Sequence, residues 1–139
     1  MIVSVIGARG GTGKCCISRL IEHPSCEEIR AIVRTDDQTI PKNEKVKLVV
    51  GEFLTDEEKL AEVLQGSTHV IFAASGKTGE QVKTVDNQGV GICAQACKRA
   101  LVKRLVLVSS QLVDPKNYWS PIRLFLNNII VSGIMDSKV

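Results

Sequence analysis

The sequence feature that most constrains the fold is a glycine-rich stretch that directly follows the apolar run Ile2 to Ile6. This order predicts a strand, a glycine loop and the start of a helix. One glycine of such a loop allows a sharp turn, one allows backbone N–H groups to approach a pyrophosphate, and one allows helix to pack on strand. Phosphates then lie at a helix N-terminus, where negative charge is favoured. The candidate nucleotide-binding residues of the loop are Gly7, Ala8, Arg9, Gly10, Gly11, Thr12 and Gly13.

Two nucleotide-binding motifs compete for this loop. The G-x-x-G-x-x-G spacing is seen in short-chain dehydrogenase-like dinucleotide folds, whereas the segment ending in Lys14 resembles the deviant Walker A motif of the MinD and ParA ATPases. A Walker motif needs a hydroxyl after the lysine to hold magnesium, and Cys15 offers a thiol, which is a poor ligand for so hard an ion. Ala8 stands where the first Walker glycine belongs. The dinucleotide interpretation is favoured, and a P-loop ATPase or a glycine turn without a ligand are the alternatives.

Alternating strand and helix patterns predict an α/β fold with a mostly parallel sheet. For a dinucleotide-binding fold of this kind we expect a doubly wound sheet with strand order 3-2-1-4-5 and three α/β/α layers. We expect one NAD(P)-binding Rossmann domain over residues 1–139. The predicted strands are Ile2 to Ile6, Ile29 to Val33, Val46 to Val50, His69 to Ala74 and Leu105 to Val108. The predicted helices are Lys14 to His23, one from a capping box at Thr55 and Glu58 to about Leu64, and one within Gly79 to Ala100.

The residue at the end of the second predicted strand indicates which dinucleotide binds. Ligands of such sheets bind at the carboxyl ends of the strands. The second strand ends in Arg34, and a positive side chain there suits the 2′-phosphate of NADP, whereas enzymes that use NAD usually have a carboxylate. Arg9 can supply a second positive charge. Asp36 and Asp37 follow closely, so NAD remains an alternative to NADP.

Three further strand ends carry residues that suit a bound dinucleotide. The third strand ends in a carboxylate and an N–H that suit adenine, the fourth in small residues that let a cofactor lie against the backbone, and the fifth in hydroxyls that can polarise a carbonyl. Each is an ordinary strand end by itself, and only their recurrence predicts a site. In chain order they are Glu52 and Phe53, then Ala73, Ala74, Ser75 and Gly76, then Ser109 and Ser110.

As a set, these motifs resemble the atypical short-chain dehydrogenase/reductase group, the NmrA-like and biliverdin/flavin-reductase-like NAD(P)-binding proteins, with similarity to plant and cyanobacterial members. The resemblance implies that the loop glycines hold the pyrophosphate, that Arg34 selects NADP and that Glu52 contacts adenine. It also implies that the segment from Ala73 lies under the adenosine ribose. The matching residues are Gly7, Gly10, Gly13, Arg34, Gly51, Glu52, Ala73, Ala74, Ser75, Val85, Asp86, Asn87, Ser109 and Ser110.

The resemblance implies a reductase, with one departure. Catalytic members have a proton-donating tyrosine four residues before a lysine that lowers its pKa and holds the nicotinamide ribose. Lys138 stands where the lysine belongs, but Ile134 stands at the tyrosine position. We expect NADPH-dependent reduction of a small carbonyl, quinone or flavin-like acceptor, with Ser109 or Ser110 orienting the acceptor. The alternative is a non-catalytic, NADP-responsive regulator or scaffold of NmrA type.

Partners and location are constrained by composition and by the end of the chain. The formal net charge of +3 is too small to indicate nucleic acid or membrane, and the isolated His23 and His69 do not indicate a metal site. Family members continue beyond the lysine-bearing helix, so the resemblance predicts that a C-terminal substrate-binding part is missing. The apolar segment Ile122–Met135 predicts a homo-oligomer contact. A cytoplasmic location is expected, with a plastid as the alternative.

Overall fold

The computed structural model describes residues 1–36, 38–76 and 79–108 of the chain. Strands and helices alternate along these residues, as the sequence pattern predicts. The strands are β1 (Ile2–Ile6), β2 (Glu28–Val33), β3 (Val46–Val50), β4 (His69–Phe72) and β5 (Arg104–Leu107). The helices are α1 (Gly11–Glu22), α2 (Glu57–Leu64), α3 (Gly79–Gln81), a π-helical segment (Val82–Gln88) and α4 (Gly89–Arg99).

The five described strands form one parallel sheet in the order β3-β2-β1-β4-β5. Strand β1 lies in the centre, where Val5 pairs with Ala31 of β2 and with Ile71 of β4. The strand order reverses between β1 and β4, because β2 and β3 are added on one side of β1, and β4 and β5 are then added on its other side. The predicted doubly wound fold and its strand order are therefore confirmed. The carboxyl ends of β1 and β4 open a crevice at this reversal.

Buried apolar residues form two clusters on the sheet. One contains Leu60 and Leu64 of α2, Phe72 of β4 and Cys93 of α4. The other contains Val3 and Val5 of β1, with Ile17 of α1 and Ile29 of β2. The three-layer arrangement follows from this division, because α1 contributes to one cluster while α2 and α4 contribute to the other.

Helix α1 begins earlier than the sequence pattern predicts. The predicted start is Lys14, but the helix begins at Gly11, with Gly10 as its N-cap. The first helical hydrogen bond runs from the Lys14 N–H to the Gly10 carbonyl over 2.9 Å. Low intrinsic helix propensity of glycine is overridden here, because Gly13 must pack against the end of β1. The last glycines of the loop therefore belong to the first helical turn.

Two smaller differences concern capping and strand length. The N-cap of α2 is Asp56 rather than Thr55, since an Asp56 carboxylate oxygen accepts from the N–H groups of Glu58 and Lys59, each over 3.1 Å. Both residue types cap helices well, so the sequence alone does not separate them. Strand β4 ends at Phe72 rather than Ala74, because Ala73 donates its last ladder bond to Ile6, over 2.8 Å, where β1 itself ends.

The helical stretch after β4 is not a uniform α-helix. Its central part, Val82–Gln88, is π-helical, and the Gly89 N–H donates to the Thr84 carbonyl five residues earlier. A Cβ atom on Gly89 would lie 3.1 Å from that carbonyl oxygen and 3.5 Å from the Leu54 side chain. Glycine at this position therefore lets the wide turn pack closely against the segment after β3.

Candidate dinucleotide-binding site

The glycine loop turns sharply out of β1 at Gly7. Gly7 has a φ of +82°, and its carbonyl accepts from the Gly10 N–H over 3.0 Å. A Cβ atom on Gly13 would lie 2.3 Å from the Gly7 carbonyl oxygen. A side chain is thus excluded at both positions, by backbone conformation at Gly7 and by close helix–strand packing at Gly13. These are two of the roles that the sequence predicts for the loop glycines.

The start of α1 is a positively polarised surface. Gly10, the N-cap residue, has no side chain that could cap the helix. The first turn of α1 contains no acidic residue. A Cβ atom on Gly11 would point into open space, with no atom from outside its own helical turn within 4 Å. The N–H groups of the first helical turn have no partner within the helix, and no carboxylate of that turn competes for the helix dipole. This geometry fits a pyrophosphate.

A cleft of about 320 Å³ lies across the carboxyl ends of β3, β2, β1 and β4. Nine of the predicted cofactor-binding residues line it: Gly7, Arg9, Gly10, Arg34, Glu52, Phe53, Ala73, Ala74 and Ser75. Five others are not among its lining residues: Ala8, Gly11, Thr12, Gly13 and Gly76. Ala8 and Gly13 are buried in the strand–helix contact, whereas Gly11 and Thr12 are exposed in the first turn of α1.

Two arginines stand at the end of the cleft next to β2. Arg34 is exposed and lines the cleft directly after the strand. Arg9 extends from the glycine loop, and one of its Nη atoms donates to the Thr35 hydroxyl over 3.3 Å. Asp36 is not among the lining residues, and Asp37 lies outside the described residues. Arg9 and Arg34 thus bring two positively charged side chains to the cleft lining.

Lys14 does not occupy the position that the ATPase alternative requires. Its Nζ atom donates to the Thr39 hydroxyl in the loop between β2 and β3, and Lys14 is absent from the residues that line the cleft. A Walker lysine extends into the phosphate site instead. The arrangement of Lys14 supports the dinucleotide interpretation.

The end of β3 forms a wall of the cleft. The Gly51 N–H donates to the Val33 carbonyl over 2.9 Å. A Cβ atom on Gly51 would lie 2.5 Å from the ring of Phe53, so only glycine lets this ring fold back over the strand end. Phe53 and the exposed Glu52 both line the cleft, and their contact with adenine stays a prediction.

The end of β4 is held by a residue whose role the sequence analysis missed. Asp86 lies in the π-helical segment and is buried, with 2% of its surface exposed. Its Oδ2 atom accepts from the Gly76 N–H over 2.7 Å and lies 3.4 Å from the Ser75 hydroxyl oxygen. Gln81 and Val85 also line the cleft from this helical stretch. The signal in the sequence is an acidic residue on the buried face that continues into Gly89 and Cys93.

The predicted catalytic residues Ser109, Ser110 and Lys138 lie outside the described residues, as do Ile134 and the apolar segment Ile122–Met135. In the part of the chain that the structure describes, no group of three or more histidine, cysteine, aspartate or glutamate residues is placed to hold a metal ion. No helix of this part is both long enough and apolar enough to span a bilayer.

Comparison with known protein sequences gives a family match. A family model described as NAD(P)H-binding matches residues 7–136. The chain is 34% identical to UPF0659 protein YMR090W of Saccharomyces cerevisiae, over 100% of the chain and 63% of the yeast protein. The chain thus spans less than two thirds of the length of this relative. The predicted NAD(P)-binding family is confirmed.

Solved structures share the fold. The oxidoreductase ylbE from Lactococcus lactis superposes with a TM-score of 0.84 at 24% identity, covering 99% of this chain and 59% of that protein. The Bordetella bronchiseptica enzyme WbmG, solved in complex with NAD, gives a TM-score of 0.70 at 24% identity, over 81% of this chain and 38% of WbmG. These likenesses confirm the Rossmann-type architecture.

Proposed function

Because this chain belongs to the NAD(P)H-binding family, we propose that it is the NADP(H)-binding domain of an atypical short-chain reductase. The reaction is reduction of a small carbonyl, quinone or flavin-like acceptor by NADPH. The observation that carries the proposal is the cleft across four strand ends, which is lined by the glycine loop up to Gly10, the N-cap of α1, and by Arg9 and Arg34 next to β2.

The order of the strands gives a direction for the bound cofactor. The pyrophosphate lies on the first turn of α1, between Gly7 and Gly11. The adenosine half extends toward β2 and β3, where Phe53 and Glu52 form the wall for the adenine. The nicotinamide half extends the other way, toward β4 and Ser75. This differs from the resemblance, which implies that the adenosine ribose lies over the segment from Ala73, because Arg34, the candidate ligand of the 2′-phosphate, lines the β2 end of the cleft. In this orientation each strand end that lines the cleft contacts a different part of the cofactor, and the side of the cleft toward β5 is open to the acceptor.

The charge at the β2 end supports NADP over NAD. Arg34 lines the cleft directly after β2, where we place the adenosine ribose. Arg9 donates a hydrogen bond to the hydroxyl of Thr35, the residue that follows Arg34. A guanidinium pair suits a 2′-phosphate, because charge-assisted bonds to phosphate are strong and Arg can make them bidentate. Among the described residues that line the cleft, the carboxylate is that of Glu52, which follows β3 and not β2.

Bound NADPH supplies the hydride for the acceptor. The chain's own contribution is to hold the cofactor at its phosphates and to orient the acceptor beside it. We assign the acceptor-orienting role to Ser109 or Ser110 and the nicotinamide-ribose role to Lys138. Isoleucine at position 134 cannot donate a proton, so the proton that completes the reduction comes from solvent.

A second function is favoured by the same isoleucine. A regulator that binds NADP(H) without turning it over needs the cleft but not the proton donor. The two functions differ in one measurable property, which is NADPH oxidation. Assays with quinones, flavins and aldehydes as acceptors separate them, and turnover that is lost in Lys138→Ala supports the reductase.

Calorimetric titration with NADPH, NADH and magnesium ATP tests the cofactor assignment. We expect preference for NADPH. Arg34→Ala should weaken NADPH binding about ten- to a hundredfold, the value of one hydrogen bond to a charged group, and change NADH binding much less. Arg19→Ala is the matched control, because Arg19 is an exposed arginine on α1 that pairs with Glu22. Equal loss of NADPH and NADH binding, or preference for magnesium ATP, contradicts the proposal.

A further inference from the structure

The loop from Ala73 to Gly76 connects β4 to the next helical stretch and forms one side of the cleft. Ala73, Ala74 and Ser75 line the cleft. Ala73 is fixed to β1 by its bond to Ile6, over 2.8 Å. Beyond Ala73 the ladder of β4 has ended, so another group must hold the rest of the loop.

Asp86 supplies that group. Its Oδ2 atom accepts from the Gly76 N–H over 2.7 Å, within the range of a charge-assisted bond. The Ser75 hydroxyl oxygen lies 3.4 Å from the same carboxylate oxygen. Asp86 is buried, with 2% of its surface exposed, so these bonds are shielded from water and stronger than they would be at the surface.

The helical geometry places Asp86 at this position. Asp86 lies within the π-helical segment, whose wider turn is marked by the bond from the Gly89 N–H to the Thr84 carbonyl. Single π-helical turns inside α-helices are frequent at functional sites. Val85, the preceding residue, lines the cleft, while Asp86 is directed at the loop. The π-helical turn thus places two consecutive residues in different roles: Val85 lines the cleft, and Asp86 holds the loop after β4.

We propose that Asp86 is a positioning residue, which fixes the loop after β4 for the nicotinamide half of the bound cofactor. The inference rests on the proposed function, because it takes the adenosine half to lie at β2 and β3. Ser75, next to Gly76, lines the cleft after β4, whereas Arg34 lines it after β2, on the other side of the central strand β1. Loss of the Asp86 contacts should therefore affect a complete dinucleotide but not a ligand that ends at the glycine loop.

Two probes of different length test this prediction. NADPH spans the whole cleft, whereas adenosine 2′,5′-bisphosphate carries only the adenosine and 2′-phosphate part with one further phosphate. In Asp86→Ala we expect NADPH to bind about tenfold more weakly and adenosine 2′,5′-bisphosphate to change less than about twofold. Asp86→Asn keeps an oxygen that can accept from Gly76, and should recover most of the NADPH affinity.

Asp56→Ala is the matched control. Like Asp86, Asp56 accepts hydrogen bonds through its carboxylate, here from the N–H groups of Glu58 and Lys59, but it caps α2 and is not among the residues that line the cleft. It should lower the melting temperature and leave the ratio of the two affinities unchanged. Equal loss of both ligands in Asp86→Ala, or no loss of either, overturns the proposal.

Amide hydrogen exchange of the ligand-free protein separates this inference from the proposed function. We expect the Gly76 amide of the wild-type chain to exchange slowly, and in Asp86→Ala to exchange rapidly. If the wild type bound neither probe, the proposed function would fail, and the exchange of Gly76 would still decide the role of Asp86. A Gly76 amide that exchanges as fast as an exposed loop amide in the wild type overturns it, even if Asp86→Ala does not fold.

Discussion

A Cβ atom on Gly7 would lie only 2.4 Å from the backbone nitrogen of Ala74. The end of β1 and the loop after β4 therefore touch through their backbones at the floor of the cleft. This contact joins the turn that presents the pyrophosphate site to the loop that Asp86 holds. A change at Gly7 acts on both halves of the site.

Replacement of Gly7 by alanine should destabilise the fold strongly. The new methyl group would clash with Ala73 and Ala74, and the φ of +82° is strained for any residue with a Cβ atom. We expect a loss of about 2–4 kcal/mol in the free energy of unfolding, from overpacking and backbone strain together. Urea denaturation followed by circular dichroism measures this quantity.

Gly11→Ala is the matched control for that substitution. A Cβ atom on Gly11 meets open space, and the residue lies in the first turn of a helix. The variant should be as stable as the wild type, or more stable by about 0.5–1 kcal/mol. If the two alanine variants lost equal stability, the close contact between Gly7 and Ala74 would not be the cause.

Salt should weaken NADPH binding more than NADH binding. The two ligands differ by the 2′-phosphate, which we place beside Arg9 and Arg34, and charge attraction at an exposed site is screened by salt. Arg9→Gln should weaken NADPH binding about tenfold and flatten its salt dependence. Titrations between low and high potassium chloride measure both effects. An unchanged salt slope in this variant would place the 2′-phosphate elsewhere.

Glu28 should stabilise the fold in a pH-dependent manner. Its carboxylate accepts from Lys47 and, over 2.8 Å, from the Arg30 Nε, and these two bonds hold its pKa below the usual value. A depressed folded pKa means that the stabilisation is present above the unfolded pKa, which is about 4.3. It is lost as the pH falls below that value and through the folded pKa. Glu28→Gln should therefore cost about 1 kcal/mol at pH 7, measured by denaturation at several pH values.

Glu22→Gln serves as the comparison for Glu28. Glu22 forms an exposed ion pair with Arg19 over 3.5 Å, and exposed pairs contribute little to stability. Its effect should be small and nearly independent of pH. The prediction for Glu28 is wrong if the Glu28→Gln deficit persists unchanged below pH 3.

The cysteines should differ widely in reactivity. Cys15 is exposed, whereas Cys26, Cys93 and Cys97 are buried. The hydrogen-bonded neighbour Cys97 and burial both raise the pKa of Cys93, and burial raises the pKa of Cys16, so little thiolate forms there. Brief alkylation with iodoacetamide at pH 8, followed by peptide mass spectrometry, should label Cys15 first. Rapid labelling of Cys93 in the folded protein would contradict the described packing.

The positions of the strands along the chain could be predicted because each strand is an apolar run bounded by polar residues or glycine. The bounds of β1 and β3 agree with the sequence prediction to the residue. The start of α1 could not be predicted, since intrinsic propensity argues against helix at Gly11 while packing against β1 requires it. Propensity is local, whereas the contact between Gly13 and Gly7 is formed only by the fold.

Parts of the candidate site could be predicted where the type of a residue at a strand end indicates a single chemical role. Arg34 and the loop glycines are of this kind, and the structure places Arg34, Gly7 and Gly10 on one cleft. Asp86 was not predictable in the same way. Its place on the buried helix face can be read from the sequence, but its contact with Gly76 depends on the π-helical turn, which the spacing of apolar residues does not predict.

The central position of β1 has a consequence for synthesis of the protein. β1 pairs on one side with β2, which follows soon in the chain, but on its other side with β4, which begins only at His69. On a ribosome that adds roughly 5–20 residues per second, the interval from Val33 to His69 lasts about 2–7 s. During that interval one edge of the central strand is open to other nascent chains. The nascent protein is therefore most vulnerable to misassembly, and most dependent on chaperones, before β4 has emerged.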